Sequence, residues 1–143
     1  MIPNKLMSEV QIKQYDFDPD ATTATAVAWT DMRDFSQLLI SFFRTVGTGN
    51  LTFIIQGSAA ADGSSPETIA TKTISAQPNA VGDYVFAEVT AEQIAGIAAT
   101  SGKALRYVSA VLTLATGTDE GVVTYVKAGA RFKYDGLSAD YVS

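Results

Sequence analysis

The sequence predicts an all-β protein: a jelly-roll-like β-sandwich of about eight strands with one short helix. Three observations carry that expectation. Short runs rich in β-branched and aromatic residues recur along the chain, separated by Gly, Asn, Asp and Pro. Polar and apolar residues alternate with a period of two in most runs, and a helical period shows in one segment only. The length, 143 residues, suits a single core. The chain therefore reads as one β-sandwich domain over 1–143, with short extended N- and C-terminal segments.

The elements follow in order. In EVQIKQY, Val10, Ile12 and Tyr15 alternate with polar residues and mark a first strand. Residues 16–24 read as a loop, because Pro19 bars regular pairing. Residues 26–29 suit a short second strand, 31–35 a corner, and 37–46 a strong strand. Gly47-Thr48-Gly49-Asn50 tolerates positive φ, so 37–46 and 51–58 are expected to form an antiparallel hairpin. Residues 58–67 carry Asp62-Gly63 and Pro66 and read as a surface loop. A strand follows at 68–74, then a turn at 77–83.

In the next strand, 84–89, Tyr84, Phe86 and Glu88 fall on one face and Val85, Ala87 and Val89 on the other. Thr90 is a helix N-cap with Gln93 at the capping-box position. Ile94, Ile97 and Ala98 keep helical spacing, and Gly102 is a stop. This predicts a helix over 91–99 that lids one end of the core. Residues 105–116 and 122–134 are the longest strands, and the turn GTDEG between them predicts a terminal hairpin. Gly129 marks an expected bulge.

Composition narrows the function classes. The net charge is −5 and the pI about 4.5, which argues against nucleic-acid binding. The chain has no His and no Cys, so the common zinc, haem and iron–sulfur ligand sets, Cys nucleophiles and Ser-His-Asp triads are excluded. No stretch approaches the roughly 20 apolar residues that span a bilayer, and the first twenty residues lack the apolar core of a secretory signal. We expect no cofactor, no membrane partner and no catalysis. Charged residues make up 17% of the chain, against about 25% in an ordinary soluble domain. Two readings fit: part of the surface is covered by other subunits, or the chain is a β-rich domain with a Thr/Ser surface.

Several constellations invite chemistry. Asp16, Asp18 and Asp20 stand two apart, as in a calcium loop, but Ala21 and Val27 occupy the positions where an EF-hand needs Gly and Glu. They read instead as a solvated acidic loop, and Asp119 and Glu120 as solvated turn acids. Asp31 and Asp34 flank Met32-Arg33 and suggest an Asp–Arg interaction that fixes the corner. Gly47, Gly49 and Gly57 lack the Lys-Ser/Thr that completes a phosphate loop. Tyr15, Phe17, Trp29, Phe35, Phe42, Phe43 and Phe53 crowd the first half and belong mostly to the core. Phe42 and Phe43 are neighbours in one strand, so they point to opposite faces. One of them is left outside the core or covered by something else, which a subunit contact or a second packed layer would explain equally well.

A family resemblance rests on these same pieces. An Ala/Thr-rich strand ends at Trp29. The corner and strands of TDMRDFSQLLISFFRTVGTGNLTFIIQGSAAADGS follow, then the acidic helical turn TAEQI, then LRYVSAVLTLATG. Over residues 10–134 this order resembles the capsid decoration, or cement, proteins of tailed bacteriophages. The resemblance implies a jelly-roll-like or tulip-like fold, no enzymatic activity, and trimers on the outer surface of an icosahedral head. The partners would be the major capsid protein and further copies of the chain. The location would be the virion, after synthesis in the host cytoplasm. Ile2, Leu6 and Met7 in the N-terminal segment, Phe42, Phe43, and Tyr141 in the C-terminal segment are the expected oligomer or capsid contacts. The chain departs from the pattern in having no long apolar arm at its start. Two alternatives stay open: a carbohydrate- or receptor-binding module of a phage tail, and a neck or tail-completion protein.

Overall fold

A computed structural model of the chain describes residues 10–17, 23–74 and 80–130. Its elements are β1 (Gln11–Phe17), β2 (Thr25–Ala26), β3 (Thr30–Asp31), β4 (Phe35–Val46), β5 (Leu51–Ser58), β6 (Glu67–Ile74), β7 (Tyr84–Thr90), α1 (Ala91–Ser101), β8 (Tyr107–Thr113) and β9 (Glu120–Ala130). One sheet has the order β1-β9-β4-β7. The other has the order β2-β8-β5-β6, with β3 also on β8. Every pairing in both sheets is antiparallel. Count β2 and β3 as one interrupted strand and letter the eight strands B to I. The sheets then read B-I-D-G and C-H-E-F, the order of a jelly roll. The all-β sandwich expected from the sequence is the observed architecture.

Both expected hairpins are absent. β4 bonds to β7 and β9, while β5 bonds to β6 and β8, so residues 47–50 carry the chain from one sheet to the other. Residues 114–119 do the same between β8 and β9. The reason lies in the core. Leu38, Ile40 and Phe42 of β4 and Leu51, Phe53 and Ile55 of β5 are all fully buried. An arch places these two apolar rows face to face, where a hairpin would set them side by side in one layer. Gly47 and Gly49 make the first arch with φ of 95° and 109°, which side chains other than glycine rarely adopt.

The core fills between the inner faces. Phe17 meets Phe42 edge-on at 6.4 Å between ring centroids, and Tyr15 meets Tyr125 at 5.3 Å. The Tyr125 hydroxyl spans the two layers: it donates to the Ala28 carbonyl at 3.0 Å and accepts from the Ala110 N–H at 2.9 Å. Burial pushes its pKa up.

Local signals hold where they are chemically specific. The Thr90 hydroxyl accepts from the Gln93 N–H at 3.3 Å, the Gln93 side chain accepts from the Thr90 N–H at 2.9 Å, and Gly102 ends α1 with φ of 70°. The predicted second strand is displaced: residues 27–29 lie between the short strands β2 and β3. The bulge is displaced too. Pairing stays in step past Gly129, from Gln37 with Ala128 to Phe35 with Ala130, and the register shift lies between Arg44 and Val46. Gly129 serves a close approach instead, since a Cβ there would sit 2.0 Å from the Ser36 hydroxyl.

Candidate functional site

The four-stranded sheet turns an apolar face outward. Its register aligns three rows across β1, β9, β4 and β7: Ile12, Val126, Leu39, Glu88; then Gln14, Thr124, Ser41, Phe86; then Asp16, Val122, Phe43, Tyr84. Alternation along each strand fixes this face, because the intervening residues Leu38, Ile40, Phe42, Ala87, Val89, Val123 and Tyr125 are buried. Ile12 is 63% exposed, Tyr84 65%, Phe86 53% and Phe43 44%. The Tyr84 and Phe86 rings, two residues apart on edge strand β7, lie nearly parallel at 19° with centroids 6.3 Å apart. Leu39, and Val46 at the arch end, are also exposed.

The other sheet differs. Among the described residues, every large exposed hydrophobic belongs to the four-stranded sheet, except Val81 in the turn that leads into it. The charges on the apolar face are also one-sided. Asp16, Glu88 and Glu120 share its outward parity, and no Lys or Arg among the described residues of its four strands does.

This geometry places the residues read from the sequence. Phe43 lies on the outer face, as its opposition to Phe42 implied. Phe42, expected as a contact beside it, is fully buried against Phe17 and offers no surface to a partner. Ile2, Leu6, Met7 and Tyr141 lie outside the described residues, as do Asp18 and Asp20 of the acidic loop. Tyr84 and Phe86 were not singled out as contacts, although the shared face with Glu88 was the available signal.

Each end of the sandwich carries an ion pair. At the helix end, Arg106 clasps the Asp31 carboxylate through Nε, at 3.0 Å from each oxygen, and through Nη2, while the Arg33 N–H donates to it at 2.9 Å. The Arg106 hydrogen bond holds the Asp31 carboxyl below the usual carboxylate range, against a smaller effect of burial. An Asp–Arg interaction does fix the corner: Arg33 pairs with Asp34 at 3.4 Å, and Asp31 is held by Arg106 from the end of the loop before β8. Beneath it the Lys127 amine donates to the Asp31 carbonyl at 3.0 Å and sits 4.6 Å from the Phe35 ring centre. Burial pushes that amine's pKa down. Next to the corner, Met32, Ile94, Ala98 and Leu105 line a groove of about 420 Å³ flanked by Arg33 and Arg106.

At the arch end, Asp119 corrects its reading as a solvated acid. It is fully buried and pairs with fully buried Arg44, Nη1 to Oδ2 at 3.2 Å. Arg44 Nη2 donates to the Gly49 carbonyl at 3.0 Å, and the Thr116 hydroxyl donates to Asp119 Oδ1 at 2.8 Å. One pair thus ties together both arches. A signal existed in the sequence: Arg44 shares parity with Leu38, Ile40 and Phe42, and an inward arginine requires a buried acceptor.

No protein-family model matches the chain, and no curated protein matches it in sequence. Three of the solved structures it is similar to are these. A structure of Bacillus endospore appendages, a family of disulfide-linked pili, shares 15% identity at a TM-score of 0.49, over 83% of this chain and 86% of that one. The SPBc2 prophage-derived protein YomS shares 11% identity at 0.44, over 83% of this chain and 95% of that one. The VP2 subviral particle of infectious bursal disease virus shares 12% identity at 0.44, over 89% of this chain and 34% of that one. The chain spans about a third of that VP2 protein's length. At these identities and scores the likenesses assign no function to the chain.

Proposed function

We propose that the chain is a virion structural protein of a tailed bacteriophage that binds the outer surface of the capsid, as a trimer, and stabilises the shell without catalysis. The observation that supports this reading is the outward apolar face of the four-stranded sheet. At roughly 200 Å² per aromatic side chain, the exposed halves of Phe43, Tyr84 and Phe86 alone offer on the order of 300 Å². Ile12, Leu39 and Val46 bring the face to the scale of a functional patch, about 300–600 Å². A stable interface buries about 800 Å² per partner, polar rim included. A jelly roll held by buried side chains in both layers is a stiff support for such a patch. Trimeric attachment multiplies modest contacts through effective concentration.

The test is to assemble shells from the phage's major capsid protein without this chain, add it back, and follow both co-sedimentation and resistance to heat. Co-sedimentation with raised heat resistance is the expected result. Shells that neither bind the chain nor gain resistance would rule the reading out. A second reading, a carbohydrate-binding tail module, draws on the near-parallel Tyr84 and Phe86 rings, which suit stacking against sugar rings. Glycan binding lost on Tyr84→Ala, together with no binding to shells, would favour it.

A further inference from the structure

We infer that the outer face of the four-stranded sheet is built for a partner surface that is apolar at its centre and cationic at its rim, and not for a second copy of itself. The inference rests on the reading above only in naming that partner as the capsid protein. The face chemistry stands on the rows of the sheet.

Asp16 and Glu88 occupy diagonally opposite corners of the three rows, and Glu120 lies beyond Val122 at the arch end. With strands about 4.8 Å apart and a rise of about 3.4 Å per residue, the two corner carboxylates stand about 20 Å apart. Between them lie Leu39, Phe43 and Phe86, and Ile12 and Tyr84 hold the other two corners. Hydroxyl and amide side chains supply the rest of the polar lining, with Gln14 donating to Thr124 at 3.4 Å. No cation of these strands faces the same way.

Pairing this face with itself would bring six carboxylates around one apolar contact, with no opposite charge among the outward-facing described residues of the four strands to meet them. Like charges held together across an interface oppose association and are a means of excluding wrong partners. The apolar centre favours burial against any apolar surface, so the acids decide which one. The complementary surface carries Lys or Arg at the two far corners and near the arch end. The chain's net charge of −5 adds long-range attraction to such a surface.

The chain itself supplies a probe that needs no knowledge of the natural partner. A variant with Asp16→Lys, Glu88→Lys and Glu120→Lys presents the same apolar centre inside a basic rim. Sedimentation at about 50 mM salt should show wild type and this variant forming a mixed complex. At a few-fold per rim pair, raising the salt to about 300 mM should weaken it about tenfold. Phe43→Ser in either chain should abolish it. The neutral variant Asp16→Asn, Glu88→Gln, Glu120→Gln should self-associate more strongly than wild type. Circular dichroism confirms that each variant is folded.

Several results would overturn the inference. One is wild type that self-associates in a manner Phe43→Ser abolishes, since the occupant is then a second copy. Another is the absence of both the mixed complex and the neutral variant's gain. In the shell assay, binding by wild type that is indifferent to the three lysine substitutions would overturn the inference and leave the capsid reading standing. A mixed complex with no shell binding by wild type would do the reverse. Oligomers unaffected by Phe43→Ser agree with the inference, because their contacts lie on other surfaces.

Discussion

The two ends of the sandwich each carry an ion pair, in opposite electrostatic regimes. Arg44–Asp119 joins the two arches that cross between the layers, whereas Arg106–Asp31 joins the lead-in to β8 to its neighbour β3 within one sheet. At the arch end Arg44 and Asp119 are fully buried, and their hydrogen bonds reach Gly49 and Thr116. At the helix end Arg106 and Asp31 are each about a third exposed, at 39% and 33% of their side-chain surface. The geometry of the second pair is the better: Arg44 Nε is buried without a partner among the described residues, whereas Arg106 uses Nε and Nη2 together. Energetic consequence nevertheless follows burial. Removing one member of a buried pair strands a charge in a poor dielectric, while water compensates at the exposed pair. Ion-pair geometry alone is a poor guide to which contact holds a fold.

Breaking the buried pair should give the largest effect. Asp119→Ala leaves Arg44 buried and unpaired and should cost about 3–5 kcal/mol in urea unfolding. Gly47→Ala attacks the same pair from the backbone. A Cβ there would sit 1.7 Å from Asp119 Oδ1, at a φ of 95°, so we expect a loss of roughly 2–3 kcal/mol from strain and displacement. The double change Arg44→Met with Asp119→Leu removes both charges at once. It should cost less than Asp119→Ala alone, by about 2 kcal/mol or more, in the same titration. A double variant as unstable as the single one would mean that the arches need the hydrogen bonds and not merely the absence of a lone charge.

The helix end should respond far more weakly. Arg106→Ala is expected to lower stability much less than Asp119→Ala in the same urea titration, because water compensates for the lost partner at a solvent-exposed pair. Its pH dependence sharpens the contrast. The Asp31 carboxyl is held below its ordinary value of 3.8 by Arg106, so the unfolded chain takes up the proton first as pH falls. The stabilisation is complete above that ordinary value and is lost as pH drops through the lower, folded value. The stability gap between wild type and Asp31→Asn should therefore be full at about pH 6 and should shrink below about pH 4. A gap that is constant over that range would show that the carboxylate's charge contributes nothing.

These contrasts also mark what the sequence discloses. The β7 alternation, the split of Phe42 from Phe43 and the Thr90–Gln93 capping box were legible, because each depends on neighbours a few residues away. The arches were not. A strand with a period of two looks the same whether its turn leads to the adjacent strand or across the core. Only the requirement that Leu38, Ile40 and Phe42 face a second apolar row separates the two. Asp119 was misread for the same reason. In GTDEG it has every local mark of a solvated turn acid, and its partner Arg44 is 75 residues away. The candidate face was half legible: Phe43 was marked by its neighbour, but its adjacency to Tyr84 and Ile12 depends on the register of four strands.

That register has a temporal side. β1 pairs with β9 along seven rungs, from Gln11 with Lys127 to Phe17 with Gly121, so the first described strand waits for the last. β9 also separates β1 from β4. The outer face therefore has no continuous surface until residues 120–130 have been synthesised and have left the ribosome. Closing contacts over so much chain is slow, on the millisecond-to-second scale of sheet proteins dominated by distant pairings. During that interval β4, which carries Leu39 and Phe43, has an open edge where β9 will pair, a site for aggregation in a nascent chain. A partner that recognises the rows across all four strands cannot seize the chain early, and only a finished subunit is competent to bind.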